Sequence, residues 1–284
     1  MRKEKRGRGR SFLPPPSSFL VYTALILGAF VALLPMLWMI SASLMPTGEA
    51  TASPPRLVPS RLTGEHYRAL FTRLNLGRYL LNSAIVALTV TTVSLFVNSM
   101  AGYAFAKLRF RGRDRLFRAL TTGLVIPVQV AMLPLFLLMK QLGMINTYWG
   151  VIVPGLASIF GIFLVRQYAL SIPDDLLDAA RIDGAGEFRI YWSVVLPTIR
   201  PILATLAIWT FLSTWNDFMW PLIVLSDESR FTLPVALANL SGEHVQDTEL
   251  MMAGSVLTVL PVMLVFLFLQ RFYIAGITAG SVKG

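Results

Sequence analysis

Six stretches of this chain are each long and apolar enough to cross a lipid bilayer, and no other feature limits its fold as tightly. They lie near Phe19–Ser43, Asn82–Ala106, Leu116–Met139, Thr147–Val165, Ile202–Leu225 and Leu250–Phe272. A helix rises about 1.5 Å per residue, so roughly 20 apolar residues cover the hydrocarbon core. Inside that core water cannot pair a free N–H or C=O, and the helix pairs nearly all of them within itself. The sequence therefore predicts an all-α membrane protein with six transmembrane helices. Prolines such as Pro127 and Pro134 fall inside the third stretch. Neighbouring helices in a bundle can satisfy the backbone groups they free. Composition agrees: 55% of the 284 residues are hydrophobic and only 14% charged, against about 25% charged in soluble domains. The first stretch exceeds the roughly 7–15 apolar residues of a cleavable signal and lacks a clear small-residue cleavage site. It reads as a retained helix.

The net charge is +10, which fits either a nucleic-acid binder or a membrane protein with basic cytoplasmic loops. The distribution favours the second. One side of the predicted topology holds the N-terminal tail, the loop near 107–118, the segment 166–200 and the C-terminal tail. It carries eighteen Lys and Arg residues, including Arg2, Lys3, Lys107, Arg109, Arg111, Arg181 and Lys283. The other side carries seven: Arg56, Arg61, Arg68, Arg73, Arg78, Lys140 and Arg230. The positive-inside rule then puts both termini in the cytoplasm, in a multi-pass protein of the cell (inner) membrane, with the lipid bilayer and not nucleic acid as partner. The expected organisation is a basic, Pro-rich cytoplasmic tail over 1–18, a six-helix domain over 19–274 and a cytoplasmic tail over 275–284. Residues 44–81 and 226–249 would face outside.

Several chemistries are disfavoured. The chain has no cysteine and two histidines, His66 and His244, far apart in sequence, so thiolate metal sites are excluded and a metal centre is not expected. No paired carboxylates or Ser/His/Asp set falls at one membrane depth. No G-x-x-x-x-G-K-[ST] loop is present to cradle phosphates. The chain is not expected to be an enzyme or to hold a cofactor.

The cytoplasmic segment 171–200, SIPDDLLDAARIDGAGEFRIYWSVVLPTIR, is too long for a simple helix–helix connection of roughly 2–8 residues. Pro173 and Asp174 mark a helix start, with Asp175 placed favourably near the positive end. Gly184 breaks the pattern, and a second short helix fits Glu187–Val195, with Phe188, Tyr191, Trp192 and Val195 on one face. Two short helices joined at a glycine elbow fit two roles: an amphipathic piece seated on lipid, or a protrusion that docks into a cytoplasmic partner. Ala179, Ala180, Gly184 and Ala185 would let a partner approach closely.

Asp178-Ala179-Ala180-Arg181-Ile182-Asp183-Gly184-Ala185, followed by Phe188 and Val194-Val195-Leu196-Pro197, is similar to the EAA motif of ABC importer permeases. That motif reads E-A-A-x-x-D-G-A, an aromatic, then I-x-L-P. Asp178 stands where Glu is usual and Val194 where Ile is common, both keeping charge or shape. Trp215-Asn216-Asp217-Phe218 resembles the W-N-[DE]-F signature of the carbohydrate branch, specifically its maltose-permease G-like subunits. Phe231-Thr232-Leu233-Pro234 resembles a following F-T-L-P segment. Gln270-Arg271-Phe272 and Gly280-Ser281-Val282-Lys283-Gly284 resemble its Q-R-[FY] and G-A-V-K-G ending, with Ser281 for the usual Ala.

The resemblance implies a type I ABC importer fold with a cytoplasmic EAA coupling helix-turn-helix. It implies a second homologous permease subunit, two cytoplasmic ATPase subunits holding ATP and Mg, and an extracytoplasmic solute-binding protein. The coupling residues would be Asp178, Ala179, Ala180, Asp183, Gly184, Ala185, Leu196 and Pro197, and Lys283 in the tail could reach the ATPase. A carboxylate at the centre of a membrane helix costs about 2.5–3.5 kcal/mol and usually faces a bundle interior or wet cavity. Asp217 either snorkels or pairs near the end of its span, or touches substrate together with Trp215 and Asn216. Trp38 and Trp220 read as interfacial anchors. The expected cargo is a sugar. An ABC permease for a non-sugar solute such as a polyamine, phosphate or peptide, and a stand-alone secondary transporter, are the alternatives.

Overall fold

The computed structural model describes residues 16–54, 56–243 and 247–281, and all regular structure among them is helical. In chain order the helices are α1 (Pro16–Ala42), α2 (Glu65–Thr72), α3 (Leu76–Lys107), α4 (Arg113–Thr122), α5 (Val128–Gln141), α6 (Tyr148–Gly155) and α7 (Ile159–Ala169). They continue with α8 (Asp174–Ile182), α9 (Glu187–Ile190), α10 (Leu196–Thr198), α11 (Arg200–Trp215), α12 (Met219–Val224), α13 (Leu233–Glu243) and α14 (Thr248–Ser281). The chain divides into two compact units, Met1–His66 with Gln246–Val256, and Tyr67–Val245 with Leu257–Gly284.

In the first unit α1 is apolar over its whole length, and none of its most hydrophobic window is buried. In water such a surface would aggregate; in a bilayer it meets lipid or another helix. The loop after α1 is fixed by polar contacts. Glu49 accepts the N–H and the hydroxyl of Ser60, each at 3.0 Å, and pairs with Arg56 at 3.1 Å. Glu249, fully buried, accepts the Ala50 N–H at 2.7 Å. Ala42, Met45 and Ala50 pack with Trp38 and Met252.

The second unit is organised around α3. Val86 and Val90 in its N-terminal half pack with Val151 and Ile152 of α6, Trp220 and Val224 of α12, and Val235 of α13. Tyr103 and Ala106 near its C-terminal end pack with Val165 of α7, Leu177 of α8, Ile190 of α9, Val195 just before α10 and Leu206 of α11. Burying apolar area cannot drive this association strongly, because lipid tails are as apolar as leucine; close packing and polar contacts between helices must hold it. Both are present. A Cβ on Gly102 would lie 2.6 Å from Val165 Cγ1 and 3.0 Å from the Arg166 backbone nitrogen, so only glycine permits the α3–α7 crossing. Asn98, fully buried, donates to Ser94 Oγ at 2.7 Å and accepts the Ser158 N–H at 3.0 Å. Asn82 donates to the carbonyls of Ser229 and Phe231 and accepts from Tyr148 Oη at 2.7 Å, pinning the α12–α13 connection to α3.

Among the described residues, four helices are long and apolar enough to cross a membrane: Phe19–Ala42, Leu76–Lys107, Tyr148–Ala169 and Thr248–Phe268. Two bent pairs bring the number to six if each is one span, Arg113–Val125 with Val128–Gln141 at 108° and Glu187–Thr198 with Arg200–Trp215 at 80°. The third expected stretch, Leu116–Met139, is therefore not one straight helix. It breaks before Pro127, which lacks an N–H and disfavours helix at the residue it follows. The fourth, Thr147–Val165, is interrupted after Pro154 and Gly155 and restarts at Ser158, whose hydroxyl caps the Gly161 N–H at 3.2 Å. The fifth, Ile202–Leu225, ends as a regular helix at Trp215, and a shorter helix follows from Met219. The sixth continues helically through Ser281.

Candidate functional site

The segment 171–200 folds as two helical pieces and an elbow. Pro173 precedes α8, whose first turn carries Asp174 and Asp175. Leu177 and Ile190 are buried against the C-terminal half of α3, while Ala179, Ile182 and Phe188 face away. Gly184 has φ +81°, a conformation L side chains rarely adopt. There the Ala185 N–H reaches back to the Ala180 carbonyl at 3.0 Å, closing the end of α8. The second helix, expected over Glu187–Val195, starts at Glu187 and widens into a π turn over Tyr191–Val195 before α10. Leu196 and Pro197 open α10 and lead into α11 through Ile199, fully buried.

Ionic contacts hold the elbow. Arg181 pairs with Asp178 at 2.7 Å and with Glu187, across the turn, at 2.9 Å. The carboxylates of Glu187 and Asp178 push the guanidinium further into its charged form. Tyr103 Oη donates to the other Glu187 oxygen at 2.6 Å, which ties the elbow to α3. Lys107, the last residue of α3, donates to the Ile172 carbonyl and to Asp174 Oδ1 at 2.6 and 2.7 Å. That ammonium holds the Asp174 carboxyl below its ordinary value. The elbow is thus fastened on one side and free on the other. Its free side carries Ile182, 86% exposed, and Phe188, 62% exposed. Asp183 and Gly184 lie on that exposed surface too, while Ala180 and Ala185 are half-buried under it.

A second feature lies at the end of α11. A cavity of about 360 Å³ is lined by Val90, Met132, Val151, Thr214, Asp217 and Trp220, among others. Asp217 Oδ1 accepts the Trp220 N–H at 3.3 Å, capping the turn into α12. The three residues singled out from the sequence separate here. Asp217 lines the cavity. Trp215 is buried, stacked on Phe211, with its indole N–H on the Thr258 carbonyl at 3.0 Å. Asn216 is exposed and bonds back to the Leu212 carbonyl. Trp220, expected at the membrane interface, is instead a core residue whose indole N–H donates to the Gly150 carbonyl at 3.1 Å. Thr214 lines the cavity and was not singled out; a hydroxyl one turn from an intramembrane carboxylate was the available signal. Lys283 and His244 lie outside the described residues. Among the described residues, no group of three or more His, Asp or Glu side chains is placed to hold a metal.

These features define an α-helical, multi-pass membrane protein that presents a structured elbow between its apolar helices. The profile of the family described as the binding-protein-dependent transport system inner membrane component matches residues 98–278, and the chain belongs to that family. It is an ABC transporter permease, a transport subunit rather than a catalytic one. It is 40% identical to the arabinooligosaccharides transport system permease protein AraQ of Halalkalibacterium halodurans, over 95% of this chain and 98% of that one. It is 34% identical to the diacetylchitobiose uptake system permease protein NgcG of Streptomyces coelicolor, over 92% and 88% of the two chains. Its fold matches a chain in the crystal structure of a bacterial ABC transporter involved in the import of the acidic polysaccharide alginate. The TM-score is 0.79 at 26% identity, covering 93% of this chain and all of that one.

Proposed function

We propose that this permease forms part of the membrane pathway by which a sugar, delivered by an extracytoplasmic binding protein, is imported at the expense of ATP hydrolysed on two partner subunits. The observation that carries the coupling part is the elbow at Gly184. It is anchored to α3 by Tyr103 and Lys107 and leaves Ile182 and Phe188 exposed, as a docking surface would be. A lever needs both properties, a stiff attachment to the helices it moves and a free surface for the part that pushes it. ATP and Mg belong to the pushing subunits, and ATP binding shifts the pair of states because it favours one of them. A second homologous permease would close the pathway against the exposed apolar faces. Six spans, with each bent pair counted once and both termini cytoplasmic, accord with the charge asymmetry. Asp217 and Thr214 are the pathway residues this reading favours, with Trp215 and Asn216 flanking them; Lys283 is assigned to the ATPase-facing tail.

Sugar as cargo is supported by the oligosaccharide systems named for the two relatives. A carboxylate and a hydroxyl beside an aromatic ring suit a polyhydroxylated solute. The reading is tested in proteoliposomes holding the complete transporter with its binding protein. Gly184→Arg places a bulky cation at the elbow, and binding-protein-stimulated ATP hydrolysis should fall about tenfold or more while the subunit still inserts. Unchanged stimulation would count against coupling through this segment. A panel of sugars, polyamines and peptides offered to the cognate binding protein separates sugar from the other solute classes. Uptake driven by an ion gradient without ATP would instead indicate a stand-alone secondary transporter.

A further inference from the structure

The turn after α3 and the start of α4 carry Arg109, Arg111, Arg113, Arg115 and Arg118 against one acid, Asp114. The fold gathers these charges. Gly112, at φ +83°, sets the turn, and the Leu116 N–H closes onto its carbonyl at 2.9 Å. Phe117 anchors α4, packed 5.4 Å from the Phe105 ring with the Arg166 guanidinium 4.0 Å above its own. The five arginines then line one open basin of about 910 Å³. Asp114 does not neutralise it. Its carboxylate pairs with Arg113 at 3.1 Å, and its carbonyl takes Arg118. The side chains of Arg109, Arg111 and Arg115 are exposed and make no hydrogen bond or ion pair among the described residues, although the Arg109 charge, after that of Lys107, helps hold the Asp174 carboxyl low. The same stretch also exposes apolar side chains, Phe110, Leu116, Leu124 and Val125, the last 82% exposed.

We propose that this basin binds the phosphate headgroup of an anionic phospholipid such as phosphatidylglycerol. Guanidinium forks match a phosphodiester's oxygens. Phe110, which lines the basin, and exposed Leu116, next in sequence to Arg115, match the acyl chains that enter with it, a feature that an acidic protein surface or a free oxyanion does not require. The position, directly after a membrane-crossing helix, is headgroup level. The inference rests on the cytoplasmic placement of the α3–α4 turn.

The test uses the absence of native cysteine. A single fluorophore on Leu116→Cys is reconstituted in mixed phosphatidylcholine and phosphatidylglycerol vesicles. One or the other lipid carries a nitroxide that quenches at close range. Nitroxide phosphatidylglycerol should quench at least about twofold more than nitroxide phosphatidylcholine, and high salt should reduce the excess. The combined Arg109→Gln, Arg111→Gln and Arg115→Gln variant should abolish it. Equal quenching by the two lipids in the otherwise unaltered chain overturns the proposal without relying on that variant. Inorganic phosphate at constant ionic strength should leave the excess intact; its loss would make the basin a free-oxyanion site and also overturn it. A membrane-impermeant thiol reagent that reached Leu116→Cys from outside would instead refute the orientation, so the two failures are distinguishable.

Discussion

At the scale of single residues, the membrane domain is held by small and polar groups inside helices that read as uniformly apolar. Gly102 is the sharpest case. The atoms a Cβ would meet are Val165 Cγ1, Val165 Cβ and the Arg166 backbone nitrogen, all within 3.0 Å. Gly102→Ala should lower the stability of the detergent-purified subunit by about 1–3 kcal/mol, as overpacking of a close interface does. Because Val165 Cβ and backbone are part of the clash, Val165→Ala should not restore it. A melting temperature unchanged by Gly102→Ala would show that α3 and α7 do not cross this tightly. This glycine could not be singled out from the chain alone, since neither Gly77 nor Gly102 of the 32-residue apolar helix bears a local mark of its partner. Asn82 and Asn98 could have been, because an amide in a span without a partner is costly. Trp215 adjoins residues it does not share a surface with. Its neighbours Asn216 and Asp217 suggest a shared wet site, but helical geometry turns the three residues in different directions, and only Asp217 meets the cavity.

At the scale of elements, helices were legible in the sequence and their breaks less so. Hydrophobic length located one end of α3 and of α14 closely, at Lys107 and Thr248, because a run of roughly 20 apolar residues has few alternatives in a bilayer; the other ends run further, to Leu76 and Ser281. The same argument joined α4 to α5 and α11 to α12. Hydrophobic length is blind to direction and to short breaks, whereas Pro127 sits at a 108° bend and the Asn216–Asp217 step interrupts the helix. The elbow was legible because glycine and proline mark its turns directly. It also carries an element-scale prediction. Gly184 has open space around its missing Cβ, so in the isolated subunit a small side chain there is felt only through its φ of +81°. Gly184→Ala should destabilise the subunit by about 1 kcal/mol. Gly184→Asn should do so by less, since Asn tolerates the left-handed region. Equal melting temperatures for the Ala and Asn variants would show that the elbow is not held in this conformation.

At the scale of the whole molecule, the account requires a defined orientation and a covered elbow. Val58, 74% exposed after α1, and Ile182, 86% exposed on the elbow, are expected on opposite sides of the membrane from the charge asymmetry. A membrane-impermeant thiol reagent added to intact cells should label Val58→Cys and leave Ile182→Cys untouched until the membrane is opened. Labelling of Ile182→Cys in intact cells would invert the topology. The most direct test of the central claim, that the elbow is where the ATP-driven subunits push, uses the same thiol. With the membrane opened, the rate of modification of Ile182→Cys is measured in the permease alone and in the complete transporter. It should fall severalfold or more on assembly, while Val58→Cys keeps its rate. Equal rates at Ile182→Cys in both states, with assembly and transport intact, would contradict the account.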